Sequence, residues 1–161
     1  MASFKGSLTT ATQAIPKETA MPLISVTYAT HRQTPSLKAG IAAAITELTA
    51  GILHKDPKVT AVIVKSVDPA DWFAGGKSLA EQKLASYWID THVSEGTNTK
   101  DEKAAFIAAT FEAMGKILGP LHEESYVHVH DVRDDAYGYG GVTQGQRYIT
   151  GNRPVRVASA A

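Results

Sequence analysis

The side chains able to do polar chemistry in this 161-residue sequence are few, because it has no Cys and only six His. Without thiols there is no disulfide framework, no cysteine nucleophile and no Cys-ligated metal, so chemistry falls to other groups and the compartment leans cytoplasmic. His128 and His130 alternate along an apolar stretch and so share one strand face, where they suit metal ligation or a proton relay. No third ligand is evident beside them, which favours a packed or interface role and no metal. Arg32 is a forked cation just ahead of a helix, where its plain reading is a solvated residue. Trp72 and Phe73 precede Ala74-Gly75-Gly76 and read as an aromatic lip at a turn, suited to a pocket wall or a subunit contact. The 16 Lys+Arg balance 16 Asp+Glu with no basic cluster, so neither nucleic acid nor an acidic membrane is expected as partner. With 43% apolar and 20% charged residues the chain is neither disordered nor collagen-like, and no apolar run approaches the ~18 residues of a membrane span.

The elements that must position these groups occur twice. Residues 1–21 read as an extension without the apolar stretch of a secretory signal, and Phe4, Leu8, Ala11 and Ile15 fall at helical spacing, which suits either a docking stripe or, since Gly6 and the Thr residues weaken such a helix, a merely tolerated tail. From Pro22 a β-branched run over 23–29 predicts a strand, and Thr34-Pro35 an N-cap and first helical residue. Leu37, Ile41, Ala44, Ile45, Leu48 and Ile52 make one buried helix face that Asp56-Pro57 ends, and 59–67 reads as a strand. The grammar then returns. A strand over 87–93 precedes Thr99-Lys100-Asp101-Glu102, a capping box in which Thr and Glu satisfy each other's free N–H groups. Phe106, Ala109, Ala113 and Ile117 carry a buried face to the stop at Gly119-Pro120. A strand over 125–132 and the turn Tyr137-Gly138-Tyr139-Gly140-Gly141 complete the second pass.

Sliding the chain on itself by 65 residues aligns the passes without a gap, pairing Ile24 with Ile89, Thr34 with Thr99, Glu47 with Glu112, Val64 with Val129 and Gly75-Gly76 with Gly140-Gly141. Caps, helix cores, strand faces and Gly-Gly turns stay in register together, the mark of a duplicated β-α-β unit. The expected fold class is α/β: two units, 22–86 and 87–151, forming one four-stranded sheet with both helices on one face, and a tail at 152–161. Two helices cover only one face of such a sheet. Self-association is the simplest cover for the other.

A unit that begins Pro-Leu-Ile-Ser-Val, has Arg ten residues on, then Thr-Pro-Ser and an aromatic-Gly-Gly turn, resembles the tautomerase superfamily, whose type member is 4-oxalocrotonate tautomerase. The run Arg32-Gln33-Thr34-Pro35-Ser36-Leu37-Lys38 is similar to that of fused two-unit members, such as cis-3-chloroacrylic acid dehalogenase and malonate semialdehyde decarboxylase. The resemblance implies a homotrimer with no cofactor, a small-molecule substrate, a catalytic proline corresponding to Pro22, and a carboxylate-holding Arg32. It places Trp72, with Phe73, at the aromatic wall that keeps water out. An N-terminal proline is a secondary amine whose pKa a dry pocket lowers toward neutrality, fitting it as a general base for enol and keto forms of a 2-oxo acid. Ala61 stands where the short members carry a second Arg, which disfavours a dicarboxylate. Thr49, Ser94, Thr97 and Ala136 stand at the dehalogenase's His, Arg pair and acidic group, which disfavours halide hydrolysis. The second unit has Tyr87 for Pro22 and Thr97 for Arg32, so at most one working site per subunit is expected.

In the chain as written Pro22 follows Met21, and its nitrogen is an amide without a basic lone pair. The expected isomerase is silent until a chain begins at Pro22. The alternative is a non-catalytic trimeric scaffold or a subunit of a larger assembly, natural or engineered. Ala39, Ala42, Ala43, Thr46 and Ala50 on the first helix, and Ala104, Ala108 and Gly115 on the second, stand where Lys and Glu are expected, so the faces 39–50 and 104–115 could admit another helix.

Overall fold

A computed structural model describes residues 21–151. The Phe4–Leu8–Ala11–Ile15 stripe and the 152–161 tail lie outside the described residues. Unit one runs β1 (Leu23–Ala29), α1 (Leu37–Ile52), β2 (Ala61–Ser66), a hairpin of β3 (Phe73–Ala74) and β4 (Lys77–Ser78), and α2 (Leu79–Gln82). Unit two repeats it as β5 (Ser86–Ser94), α3 (Lys100–Leu118), β6 (Tyr126–Val132), β7 (Gly138–Tyr139), β8 (Val142–Thr143) and α4 (Gln144–Thr150). The hairpin strands are displaced by the same 65 residues that align the sequence, so the duplication is structural as well as textual.

One mixed sheet, ordered β2-β1-β5-β6, carries both units. Each crossover helix makes its flanking strands parallel, β1 with β2 and β5 with β6, while the units join through an antiparallel β1–β5 pair. In that pair Ser25 faces Asp90, its own repeat counterpart, so a local twofold relation passes through them. The helices pack on one another over one sheet face. Ile41 and Ile45 of α1 and Met114 and Leu118 of α3 enclose Ile24, Val26, Tyr87 and Ile89 in a common core. Val62, Val64 and Val127 pack against this core from the outer strands.

Local chemistry explains the turns and two displaced boundaries. Both central residues of each hairpin turn have positive φ, Gly75 and Gly76 at 64° and 79°, Gly140 and Gly141 at 57° and 77°, the tight form suited to strand twist and reserved largely for glycine. The capping box at Thr99 and Glu102 is present with both hydrogen bonds. Thr34-Pro35, expected to open α1, instead forms a turn closed by the Leu37 N–H on the Thr34 carbonyl, and Ser36 is the N-cap. On α3 the buried stripe is Phe106, Thr110, Met114 and Leu118, a strict four-residue step that leaves Ala109, Ala113 and Ile117 half-buried at its margin. The short helices α2 and α4, each N-capped by a Ser or Thr side chain, were not among the expected elements.

The face turned away from the helices is a regular grid. Across β2, β1, β5 and β6 its rows read Lys65, Thr27, Trp88, Tyr126; then Ile63, Ser25, Asp90, His128; then Ala61, Leu23, His92, His130. Leu23, Ile63, Trp88 and Tyr126 are exposed apolar or aromatic members, and the rest are polar apart from Ala61. No described helix is long and apolar enough to cross a membrane.

Candidate active site

The antiparallel joint between units turns the second unit around, so its hairpin returns to the start of β1. There Pro22 is buried, and its carbonyl accepts the Ala61 N–H at 3.2 Å. The Tyr137 hydroxyl flanks it on both sides: it accepts the Leu23 N–H at 2.9 Å and donates to the Met21 carbonyl at 2.5 Å, with the His92 carbonyl a more distant acceptor at 3.4 Å. Burial raises the Tyr137 pKa above the usual phenol value, opposed by the Leu23 N–H bond, so the group stays a neutral proton donor near neutral pH. Tyr137 is the repeat counterpart of Trp72. The aromatic hydroxyl that bonds the peptide groups on either side of Pro22 is therefore contributed by the second unit, a relation that only the strand pairing reveals.

At the other end of β1 stands a cationic cleft. Arg32 Nη1 donates to the carbonyls of Lys116 and Ile117 at 2.9 and 3.1 Å, and the Thr30 hydroxyl donates to that of Leu118 at 2.6 Å. These carbonyls end α3 and have no intrahelical partner, and a cation there also meets the negative end of the helix dipole. The Arg32 side chain lies over Gly119, whose φ of +96° and lack of a Cβ permit the close approach. A cleft of about 560 Å³ opens beside it, lined by His31, Arg32, Lys83, Leu118, Gly119 and Pro120 among others, with no carboxylate in its lining among the described residues. Such a surface suits a small anion.

Trp72 and Phe73 belong to this same end. Trp72 is half-buried against Ala29, Ala74 and Leu79, and Phe73 is 63% exposed on the hairpin. A seven-residue strand spans roughly 20 Å, so one chain brings Arg32, Trp72 and Phe73 to one end of β1 and leaves Pro22 at the other. Tyr87, the counterpart of Pro22, is buried in the core with its pKa pushed up to about 12 by desolvation. Thr97, the counterpart of Arg32, accepts a hydrogen bond from Lys55 Nζ at 2.7 Å, while neighbouring Asn98 donates to the Leu53 carbonyl at the end of α1. Both units thus send a loop side chain to the other unit's helix end, and only the first sends a guanidinium.

Known proteins share this architecture. A wild-type fused 4-OT solved as a symmetric trimer superposes with a TM-score of 0.66 at 20% identity, over 77% of this chain and 97% of that one. FG41 malonate semialdehyde decarboxylase, inhibited by 3-bromopropiolate, gives 0.61 at 18% identity, over 83% and 99%. A macrophage migration inhibitory factor-like protein from Entamoeba histolytica gives 0.63 at 18% identity, over 76% and 97%. No curated protein matches the sequence. Residues 22–82 and 89–147 match the family described as tautomerase enzyme, one segment for each unit. Two family segments falling on the two halves of a duplicated sheet place this chain in the tautomerase family.

Proposed function

We propose that the chain is a tautomerase for a small enol or 2-oxo acid, with Pro22 as the base once it is the first residue. The observation that supports this reading is the setting of Pro22: buried at the start of β1, with a neutral Tyr137 hydroxyl bonded to the peptide groups on either side. Loss of Met21 would turn the proline nitrogen into a secondary amine and release the Tyr137 proton from its carbonyl. Burial disfavours the prolinium cation, so its pKa falls toward working pH. The amine would take the enol O–H proton and return a proton to the adjacent carbon, leaving the ketone, with no net change in protons. Tyr137 would hold the oxygen on which charge gathers.

Arg32 would hold the substrate carboxylate, with Lys83 adding charge to the cleft and Trp72 and Phe73 walling off water. Since these groups lie at the far end of β1, a site using both would draw Pro22 from one subunit and Arg32 from another. A homotrimer, packed through the uncovered sheet face, provides that arrangement. In protein beginning at residue 22, Pro22→Ala should slow ketonisation of phenylenolpyruvate by about 100-fold or more. Unchanged turnover would remove the proline from the mechanism.

A second reading, a non-catalytic trimeric scaffold or assembly subunit, is favoured by one observation. The outer side of α1 carries an apolar groove of about 730 Å³ lined by Ala42, Ala43, Thr46, Ala50, Gly51 and Pro57 among others, and α3 exposes Ile107 and Phe111. Light scattering separates the readings: the mass of a trimer argues against larger assembly, and a much larger closed particle supports it.

A further inference from the structure

We propose that Asp90, His128 and His130 form a binding site for a divalent transition-metal ion of the zinc class. His128 and His130 project from the same side of β6, and Asp90 stands opposite His128 on β5. Asp90 Oδ1 lies 3.3 Å from His128 Nδ1 and 2.9 Å from His130 Nε2, and the three ligand atoms fall within 4.8 Å of one another. A tetrahedral ion with bonds of about 2.0–2.1 Å separates adjacent ligand atoms by roughly 3.3 Å, so the edge to His128 already has that length and the edge to His130, at 2.9 Å, is slightly short of it. The third, between the two ring nitrogens, is within 4.8 Å.

The ring orientations favour convergence. His128 and His130 stand nearly perpendicular, at 85°, so each presents a nitrogen to the same carboxylate oxygen. His92, opposite His130 in the pairing, stacks on its ring at 4.8 Å and 14°, which fixes its plane in the manner of an outer-shell support. Two imidazoles and one carboxylate without thiolate suit zinc, cobalt, nickel or copper better than calcium or magnesium. All three ligands come from adjacent strands of one chain, so the inference is independent of Pro22 and of catalysis. In the single chain the histidines are exposed and the carboxylate half-buried.

The test uses the untagged full chain with Zn²⁺ by calorimetry and Co²⁺ by its visible absorption. One ion per chain is expected, with the intense bands of low-coordinate Co²⁺. Asp90→Asn and His130→Gln should each weaken binding by about 100-fold or more, and His122→Gln should leave it unchanged. Binding that survives the His128→Gln/His130→Gln double variant, or the absence of any Co²⁺ band in the native chain, would overturn the assignment. If a variant fails to fold, ring-nitrogen NMR of the native protein decides: Zn²⁺ must shift the His128 and His130 signals and leave those of His54 and His122 in place.

Discussion

The two β-α-β units share strands, crossover helix and Gly-Gly hairpin, the hairpin strands to the residue, yet their polar groups have diverged in opposite directions. Unit one carries Pro22, Arg32 and an uncapped helix start, since Ser36 makes no side-chain hydrogen bond. Unit two carries a buried Tyr87, a Thr97 bound to Lys55, a full capping box, and the Asp90–His128–His130 group on its outward face. One unit holds the groups the proposed reaction needs. The other supplies the Tyr137 hydroxyl that reaches across the antiparallel joint to the first unit's proline. Duplication has left the units dependent on each other, and neither reads as an active unit alone.

The units differ most sharply at the hairpins. Gly138 stands where unit one has Phe73, and a Cβ there would lie 2.4 Å from the Val142 carbonyl oxygen. Gly138→Ala is therefore expected to cost about 3 kcal/mol and to dislodge Tyr137, read as a lowered midpoint in urea. Wild-type stability would show that this hairpin is as roomy as its counterpart. The helix starts differ less. Thr99→Ala should cost about 1 kcal/mol by removing the bond to the Glu102 N–H, whereas Ser36→Ala should cost almost nothing. Equal losses would erase the distinction.

A third difference lies in the core. Thr91, fully buried, has no hydrogen-bond partner for its hydroxyl among the described residues, and its counterpart in unit one is Val26. Thr91→Val should stabilise by about 1 kcal/mol, and destabilisation would reveal a partner for that oxygen. The smallest effect is on pH. The Thr99 N–H, with Asn98, holds the Glu102 carboxyl below its usual value. A lowered native pKa means that its contribution is present above the unfolded value and is lost as pH falls through the native one. Glu102→Gln should flatten the acid limb of thermal stability against pH, and an unaltered limb would assign it to other carboxylates.

The fold was legible in the sequence where local pattern and repetition agree. The 65-residue register, the capping box at Thr99 and both Gly-Gly turns depend on neighbours in the chain, and each stands as expected. Thr34-Pro35 misled because a proline suits the first turn of a helix and an isolated turn equally, and the Thr34 carbonyl closes the latter. The buried stripe of α3 sits one residue further on, since the 65-residue register fixes which elements correspond and leaves the rotation of a helix on the sheet to its contacts. Asp90 beside His128 and Tyr137 beside Pro22 were illegible for a common reason. The first crosses between β5 and β6 and the second is brought about by the β1–β5 joint, pairings over long separations where no local period records the partner.

The proposed reaction turns on whether the proline nitrogen is an amine or an amide. Ketonisation of phenylenolpyruvate, followed side by side for the full chain and for protein whose first residue is Pro22, tests this most directly. Turnover in the shortened protein at least about 100-fold above that of the full chain is the expected result. Equal rates in the two proteins would contradict it.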